Sequence, residues 1–151
     1  MQGKKIGIIG SGSWATAMIK MLCENDQDKH IFWWVRKEED AAYIEKFRHN
    51  PTYLSSVSVD LDITTIDTDA KNVITHSDIV ILNTPAAYLK DALVNVTKED
   101  FKDKIVVSAI KGIIPKDNLI IGEFLEKYYD LDIEQLCVIG GPCHAEEVAL
   151  G

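Results

Sequence analysis

The chain has 151 residues, 46% of them hydrophobic and 26% charged, which is typical of one globular domain and excludes a disordered chain. Acidic residues outnumber Lys and Arg by 24 to 16, giving a net charge of −8, so nucleic acid and anionic membranes are poor candidate partners. No apolar run approaches the roughly 20 residues of a membrane helix, so no membrane span is expected.

Cysteine and histidine usage bounds the chemistry further. The three cysteines form no CxxC pair, which indicates reduced thiols rather than a disulfide frame or a zinc site. His30, His49 and His76 are scattered without the spacing of metal ligands, so no metal is expected. The N-terminus shows no secretory signal. Together these features favour a cytoplasmic location.

Strand-like and helix-like segments alternate along the chain. Strands are predicted over residues 5–9, 31–35, 63–65, 78–83, 105–108 and 136–139, and helices over 13–24, 37–47, 89–96, 121–128 and 143–150, with 48–62 irregular. The third and fourth helices are predicted from apolar residues at positions 0, 3, 4 and 7: Leu89, Ala92, Leu93, Val96 and Ile121, Phe124, Leu125, Tyr128. Alternation of this kind predicts an α/β fold, a Rossmann-type doubly wound and mainly parallel sheet with helices on both faces.

The segment GSGSWA, residues 10–15, follows the first predicted strand and opens the first helix, and it fits the dinucleotide fingerprint G-x-G-x-x-G/A. Gly10 permits the tight turn, Gly12 lets the backbone approach a pyrophosphate, and Ala15 lets the helix pack on the strand. The helix N-terminus adds unpaired N–H groups. The segment predicts nucleotide binding, with a purely structural glycine turn as the alternative. Trp14 either covers the cofactor or packs on the helix.

The end of the second predicted strand bears on cofactor choice. An Asp or Glu there contacts the ribose of NAD, whereas here the first polar residue is Arg36, whose guanidinium matches a 2′-phosphate. We therefore favour NADP(H), with Lys37 assisting the phosphate or belonging to the helix surface. NAD(H) remains the alternative, in which Arg36 stacks on adenine or is solvated and Glu38 or Glu39 turns to the ribose.

Two later loops also follow strands, where ligands of open α/β sheets bind. Pro85 makes the first loop rigid, and Tyr88 either flanks the cofactor or packs partly buried against the domain. Lys111 in the second loop binds a substrate phosphate, polarises a carbonyl, or is simply solvated. Near the end of the chain, Cys143 and His144 are adjacent, but no third group is evident to orient the histidine, so a thiol hydrolase is disfavoured.

Six segments in order, spanning nearly the whole chain, together resemble the bacterial type of NAD(P)-dependent glycerol-3-phosphate dehydrogenase. They are GSGSWATA at 10–17, WVR at 34–36, HNPTYL at 49–54, TPAAYL at 84–89, IKGI at 110–113 and GGPCHAEEVALG at 140–151. The combination of a KGI loop with a GP-x-x-AEE segment after the glycine turn is specific to that family.

The resemblance implies that residues 1–151 form an NAD(P)-binding Rossmann domain, followed in the full-length protein by a helical substrate domain that this chain lacks. It implies reversible hydride transfer between NAD(P)H and dihydroxyacetone phosphate, giving sn-glycerol 3-phosphate for glycerophospholipid synthesis. It also allows a homodimer of the full-length protein. The family's main proton-transfer lysine would lie in the second domain, so this chain is expected to bind cofactor but barely to turn over.

The motif positions and the resemblance together single out two sets of residues. Cofactor-binding candidates are Gly10, Ser11, Gly12, Ser13, Trp14, Ala15, Arg36, Lys37, Pro85, Tyr88, Lys111 and Ala145. Substrate-binding candidates are Lys111, Gly141 and Cys143, with Lys111 also positioning the substrate for reaction. Cys143 stands where relatives often have a hydroxyl residue, and Asn83–Thr84 replaces a more apolar pair. Alternative functions are a related reductase of another hydroxyacid or keto substrate, and a non-catalytic nucleotide-binding module.

Overall fold

A computed structural model describes residues 3–25, 28–140 and 144–150. Its strands are β1 (Lys4–Ile9), β2 (Lys29–Trp34), β3 (Thr64–Asp67), β4 (Ile79–Leu82), β5 (Ile105–Ser108) and β6 (Leu136–Val138). They form one sheet in the order β3-β2-β1-β4-β5-β6, and every neighbouring pair is parallel. This is the strand order of a Rossmann fold, so the predicted fold class is confirmed.

The described part of the chain contains six α-helices, five between successive strands and one after β6. They are α1 (Ser13–Asn25), α2 (Glu38–Phe47), α3 (Ala70–Thr75), α4 (Leu89–Ala92), α5 (Ile121–Tyr129) and α6 (Ala145–Leu150). Short 3₁₀ turns lie at Ala86–Tyr88, Lys98–Phe101 and Ile133–Gln135. None of the helices in these described ranges is long and apolar enough to cross a bilayer.

The core lies on both faces of the sheet because neighbouring side chains on a strand point in opposite directions. Ile8 and Trp33 belong to a cluster that includes the apolar faces of α1 and α2. Ile9 and Trp34 belong to a second cluster with α3, α4 and α5. Helices therefore cover both faces, and the carboxyl ends of the strands remain free to form a site.

The helix α3 was missed by periodicity because it has only six residues, fewer than two turns. Its start is set locally: Asp69 is the N-cap, and its Oδ1 accepts a hydrogen bond from the Lys71 N–H at 2.9 Å. Its three buried residues, Ala70, Val73 and Ile74, join the cluster on that side of the sheet.

Two helix predictions need correction. The predicted helix over 89–96 is only the single turn α4, although all four of its apolar residues are buried. Beyond Ala92 the chain reads Leu-Val-Asn-Val, and Val and Asn are poor helix formers, so burial is achieved by irregular backbone. In α5, Tyr128 is 48% exposed rather than part of the buried face, because its hydroxyl donates to Asp117 Oδ1 at 2.7 Å.

The segment that carries α4 offers a matched pair of substitutions. Leu89 is fully buried and Val94 is 76% exposed. Leu89→Ala is expected to lower the free energy of unfolding by about 2–5 kcal/mol through loss of buried apolar surface and cavity formation. Val94→Ala is expected to change it by less than about 0.5 kcal/mol. Urea denaturation measures both, and equal effects would contradict the packing described.

Candidate dinucleotide-binding site

A cavity of about 360 Å³ lies at the carboxyl edge of the sheet, next to the neighbouring strands β1 and β4, between which the strand order reverses direction. Its walls come from the starts of α1 and α6 and from the segments that follow β4, β5 and β6: residues 13–14, Ala145, 83–86, 109–111 and 139–140. This is the topological switch point at which open α/β sheets bind ligands. Most of the exposed lining is apolar, with a few polar groups among it.

Beside the cavity, the glycine turn after β1 is held from inside the protein. The carbonyl oxygens of residues 9 to 12 each accept a hydrogen bond from a side chain. Thr84 Oγ1 donates to the first at 3.1 Å, and Trp33 Nε1 donates to the second at 2.7 Å. Asn50 Nδ2 donates to the third at 3.1 Å, and Thr16 Oγ1 donates to the fourth at 3.1 Å. Four different elements thus fix the orientation of one turn.

The N–H groups of the same turn point in the opposite direction from its carbonyls. In a trans peptide the N–H points away from the preceding carbonyl oxygen, so holding the carbonyls of residues 10 to 12 inward turns the next N–H groups outward. Among the described residues, none accepts a hydrogen bond from the N–H of Ser11, Gly12 or Ser13. These donors stand at the start of the 13-residue helix α1, whose dipole adds to their positive potential. The arrangement suits an anion.

The two glycines of the turn have different surroundings. Gly10 has φ +144°, and a Cβ built on it would lie 2.8 Å from the carbonyl carbon of Asn83. Gly12 has no atom within 4 Å of an ideal Cβ, so the space in front of it is open. Gly10 is therefore required by the fold itself, whereas Gly12 leaves room for something outside the fold.

The other residues of the fingerprint segment divide between core and cavity. Ala15 is 1% exposed and packs in the cluster shared by α1 and β1. Ser13 and Trp14 line the cavity. The half-buried Trp14 also packs against apolar residues of both α1 and α6. Packing on the protein and facing the cavity, which were alternatives for Trp14, are therefore combined.

Arg36 and Lys37 lie beyond the end of β2, next to β1 in the sheet, and neither lines the cavity. Arg36 is exposed. Lys37 is the N-cap of α2, and its Nζ lies 3.4 Å from Glu39 Oε1. Among the described residues Arg36 has no ion-pair partner, whereas Lys37 faces a carboxylate, so Arg36 is the better placed of the two cations for an outside ligand.

The loop after β4 brings Pro85 into the cavity wall but not Tyr88. Tyr88 is 54% exposed, which contradicts the alternative that it packs partly buried. Sequence reasoning missed two polar neighbours. Thr84 holds the glycine turn, and Asn83 lines the cavity with its buried Oδ1 lacking a hydrogen-bond partner among the described residues.

The loop after β5 places the exposed Lys111 in the cavity wall. The loop is tied to the neighbouring helices by Asp117, whose carboxylate pairs with Lys90 and accepts the Tyr128 hydroxyl at 2.7 Å. The hydrogen bond from Lys90 holds the pKa of Asp117 below its ordinary value, and the same bond raises the pKa of Lys90. Both groups stay charged at neutral pH, so the anchor of the Lys111 loop is stable there.

The last helix closes the cavity on the remaining side. Ala145 opens α6 and lines the cavity, and Ala149 packs against Ala17 of α1 and against Val57. The substrate candidates Gly141 and Cys143 lie outside the described residues. Within those residues, no group of three His, Cys, Asp or Glu side chains is arranged to hold a metal ion.

Sequence comparisons with known proteins identify the family of this chain. The chain matches the family model described as NAD-dependent glycerol-3-phosphate dehydrogenase N-terminus over residues 5–151. It is 30% identical to the glycerol-3-phosphate dehydrogenase [NAD(P)+] of Oceanobacillus iheyensis over 147 residues, covering 97% of this chain and 42% of that protein. The enzyme of the same name from a Thermoanaerobacter species is 33% identical over 144 residues, covering 95% and 42%.

Solved structures agree on the fold. A glycerol-3-phosphate dehydrogenase from Coxiella burnetii superposes with a TM-score of 0.85 at 20% identity, covering 99% of this chain and 44% of that one. One from Plasmodium falciparum gives 0.81 at 24% identity, covering 98% and 43%. The chain thus spans less than half the length of these relatives. On its match to the family model, the chain belongs to the family of NAD-dependent glycerol-3-phosphate dehydrogenase N-terminal domains.

Proposed function

We propose that this chain is the NAD(P)-binding part of a glycerol-3-phosphate dehydrogenase, and that the glycine turn of residues 10–13 holds the pyrophosphate of the cofactor. The observation that carries the proposal is the turn itself, with its carbonyls engaged inside the protein and three N–H groups that have no acceptor among the described residues. Backbone N–H groups at a helix N-terminus are the usual pyrophosphate ligands of this fold.

The surroundings of the turn fit a dinucleotide. Open space in front of Gly12 admits a phosphate to the backbone, where any side chain would stand in its way. The adjoining cavity of about 360 Å³ falls in the range of small-molecule sites and has room for a nicotinamide ring against Trp14 and Pro85. An anionic ligand also has to overcome the net charge of −8, so these local donors must supply the attraction.

For cofactor choice we infer a preference for NADP(H). An exposed guanidinium at the end of β2, without a carboxylate partner among the described residues, suits a 2′-phosphate by charge and by fork geometry. NAD(H) uses the same turn and cavity, so it is expected to bind more weakly rather than not at all. The enzyme is expected to work in the cytoplasm.

The proposed reaction is reversible reduction of dihydroxyacetone phosphate to sn-glycerol 3-phosphate, in support of glycerophospholipid synthesis. A bound nicotinamide supplies the hydride. Lys111 contributes an ammonium at the cavity wall, where it attracts the substrate phosphate and stabilises negative charge that develops on the carbonyl oxygen. Gly141 and Cys143 are proposed to complete the substrate contacts. The proton donor is expected from a lysine outside this chain.

The different surroundings of the two glycines make a direct test of cofactor binding. Gly12→Ala should change the free energy of unfolding by less than about 1 kcal/mol, because the new methyl meets no protein atom. It should weaken NADPH binding about tenfold or more by blocking phosphate approach. Gly10→Ala should instead destabilise the fold by about 2 kcal/mol or more, through backbone strain and contact with Asn83.

Tryptophan fluorescence measures NADPH binding, since Trp14 lies in the cavity wall, and urea denaturation measures the free energy of unfolding. Unchanged NADPH affinity in a folded Gly12→Ala protein would contradict the proposed pyrophosphate site. Absence of binding by the unsubstituted, folded chain would contradict the proposed function as a whole.

The role of Arg36 is tested by comparing two neighbouring cations. Arg36→Ala should weaken NADPH binding about tenfold or more, by loss of a charge-assisted contact, while NADH binding changes little. Lys37→Ala removes the same charge one residue away but should have a smaller effect, since Lys37 faces Glu39. If Arg36→Ala weakened the two cofactors equally, it would not be the residue that selects the 2′-phosphate.

One further prediction concerns cofactor binding and catalytic turnover by this chain. The 151-residue chain should bind dinucleotide but show little oxidation of NADPH in the presence of dihydroxyacetone phosphate, because the proposed proton donor is not among its residues. The absorbance of reduced nicotinamide measures this turnover. Robust activity of the chain alone would place the proton donor within it and overturn this part of the proposal.

A further inference from the structure

Asn50 is the most completely engaged buried polar side chain near the glycine turn. It is 3% exposed and lies in the loop that follows α2. Its Nδ2 donates to the Ser11 carbonyl and to Thr16 Oγ1, both at 3.1 Å. Its Oδ1 accepts from the N–H groups of Thr52 and Tyr53, both at 3.0 Å. A carboxamide has two donor hydrogens and two lone pairs, so its hydrogen-bonding capacity is filled.

The acceptor half of this carboxamide is Oδ1 and the donor half is the Nδ2 amino group, and the two halves bind different parts of the fold. The acceptor half folds the loop of residues 50–53 onto itself, which is a local task that any Asx turn performs. The donor half reaches across the fold to the turn after β1. It also donates to Thr16, whose hydroxyl donates in turn to the Gly12 carbonyl at 3.1 Å. That second carbonyl additionally accepts the Thr16 N–H at 3.0 Å, so the Ser11 carbonyl is the one that depends on Asn50 most directly.

Those two carbonyls set the directions of the N–H groups proposed to hold the pyrophosphate. Because the peptide unit is planar, rotating the Ser11 or Gly12 carbonyl rotates the N–H of the residue that follows it. Among the described residues, Asn50 is the only donor to the Ser11 carbonyl, and without it this peptide unit would have to be ordered when the ligand binds. The donor half of Asn50 removes that cost before binding.

We infer that Asn50 is a positioning residue for the cofactor: the two N–H groups of its carboxamide orient the glycine turn, and dinucleotide affinity depends on them. The inference rests on the proposed function, since it assumes that the turn holds the pyrophosphate. It assigns a cofactor-related role to a residue that does not line the cavity.

Asn50→Asp separates the two halves of the side chain. The new carboxylate keeps both acceptor contacts within the loop but has no proton to donate to the Ser11 carbonyl. At about pH 8 the variant should bind NADP⁺ about tenfold more weakly than the unsubstituted chain, the factor expected for one lost buried hydrogen bond. Burial and the facing Ser11 carbonyl oxygen raise the pKa of a carboxyl group at this position, whereas the N–H groups of Thr52 and Tyr53 lower it. At about pH 5.5 the protonated form becomes a donor again, and the deficit should shrink.

Two controls accompany this variant. Val59→Ala loosens the same loop by removing buried apolar atoms near the far end of α1, beside Lys20 and Cys23, and it should bind NADP⁺ like the unsubstituted chain. Titration of neighbouring groups is cancelled by comparing each variant with the unsubstituted chain at the same pH. Among the described residues next to Asn50, the titratable ones are His49, whose Nδ1 lies 3.4 Å from the Asn50 carbonyl oxygen, and Tyr53.

Each outcome decides the inference. Equal binding at about pH 8, a deficit that does not shrink as pH falls, or the same deficit in Val59→Ala would overturn it. If Asn50→Asp does not fold, Thr16→Val provides the second test, because it removes the hydroxyl that links Asn50 to the Gly12 carbonyl, while the hydrogen bond from the backbone N–H of residue 16 to that carbonyl remains. That variant should weaken NADP⁺ binding several-fold, and unchanged binding would overturn the inference. Failure of the unsubstituted chain to bind would instead overturn the proposed function, and the inference with it.

Discussion

A backbone carbonyl removed from water must find a hydrogen-bond donor, and this requirement governs the turn between β1 and α1. The carbonyls of residues 9 to 12 find theirs on the side chains of Thr84, Trp33, Asn50 and Thr16. The first and last of these carbonyls also accept the backbone N–H groups of Asn83 and Thr16. The N–H groups of residues 11 to 13 have no acceptor among the described residues, so they remain available to a ligand. The candidate site therefore depends on the whole sheet, because the donors come from β2, the end of β4, α1 and a loop.

The same arrangement explains how an acidic protein can bind an anionic cofactor. A net charge of −8 repels phosphate, but beyond the Debye length of about 8 Å at physiological ionic strength that repulsion is largely screened. Within that distance the turn offers backbone donors and a helix dipole, and the exposed Arg36 and Lys111 add positive charge at two other strand ends. Local geometry thus opposes the overall charge where the ligand would lie.

Much of the fold could be predicted from sequence because the signals are local and repeated. Apolar runs followed by helical periodicity placed all six strands within a few residues, and the glycine fingerprint located the turn. The limits are also physical. The helix α3 is too short to show a period, and in α5 a hydrogen bond to Asp117 keeps Tyr128 at the surface although its spacing matches the buried face.

The side-chain hydrogen bonds that hold the glycine turn could not be predicted from the sequence, for a different reason. Thr84 and the Ile9 carbonyl are 75 residues apart, and Asn50 and the Ser11 carbonyl are 39 apart. No periodicity or local motif connects such pairs, which meet only when β4 and the loop after α2 take their places in the sheet. The segment HNPTYL marked the neighbourhood of Asn50 as a family feature, but its contacts had to come from the structure.

The central claim is that the free N–H groups of the glycine turn hold the cofactor. Two-dimensional NMR spectra of the isotope-labelled chain, titrated with NADPH, observe those groups individually. The account predicts that the amide signals of Ser11, Gly12 and Ser13 shift most. It predicts little change at the cavity of about 340 Å³ lined by Lys98, Phe101 and Tyr129, near the amino ends of β5 and β6. Saturable binding that leaves the three turn amides unmoved would contradict the claim.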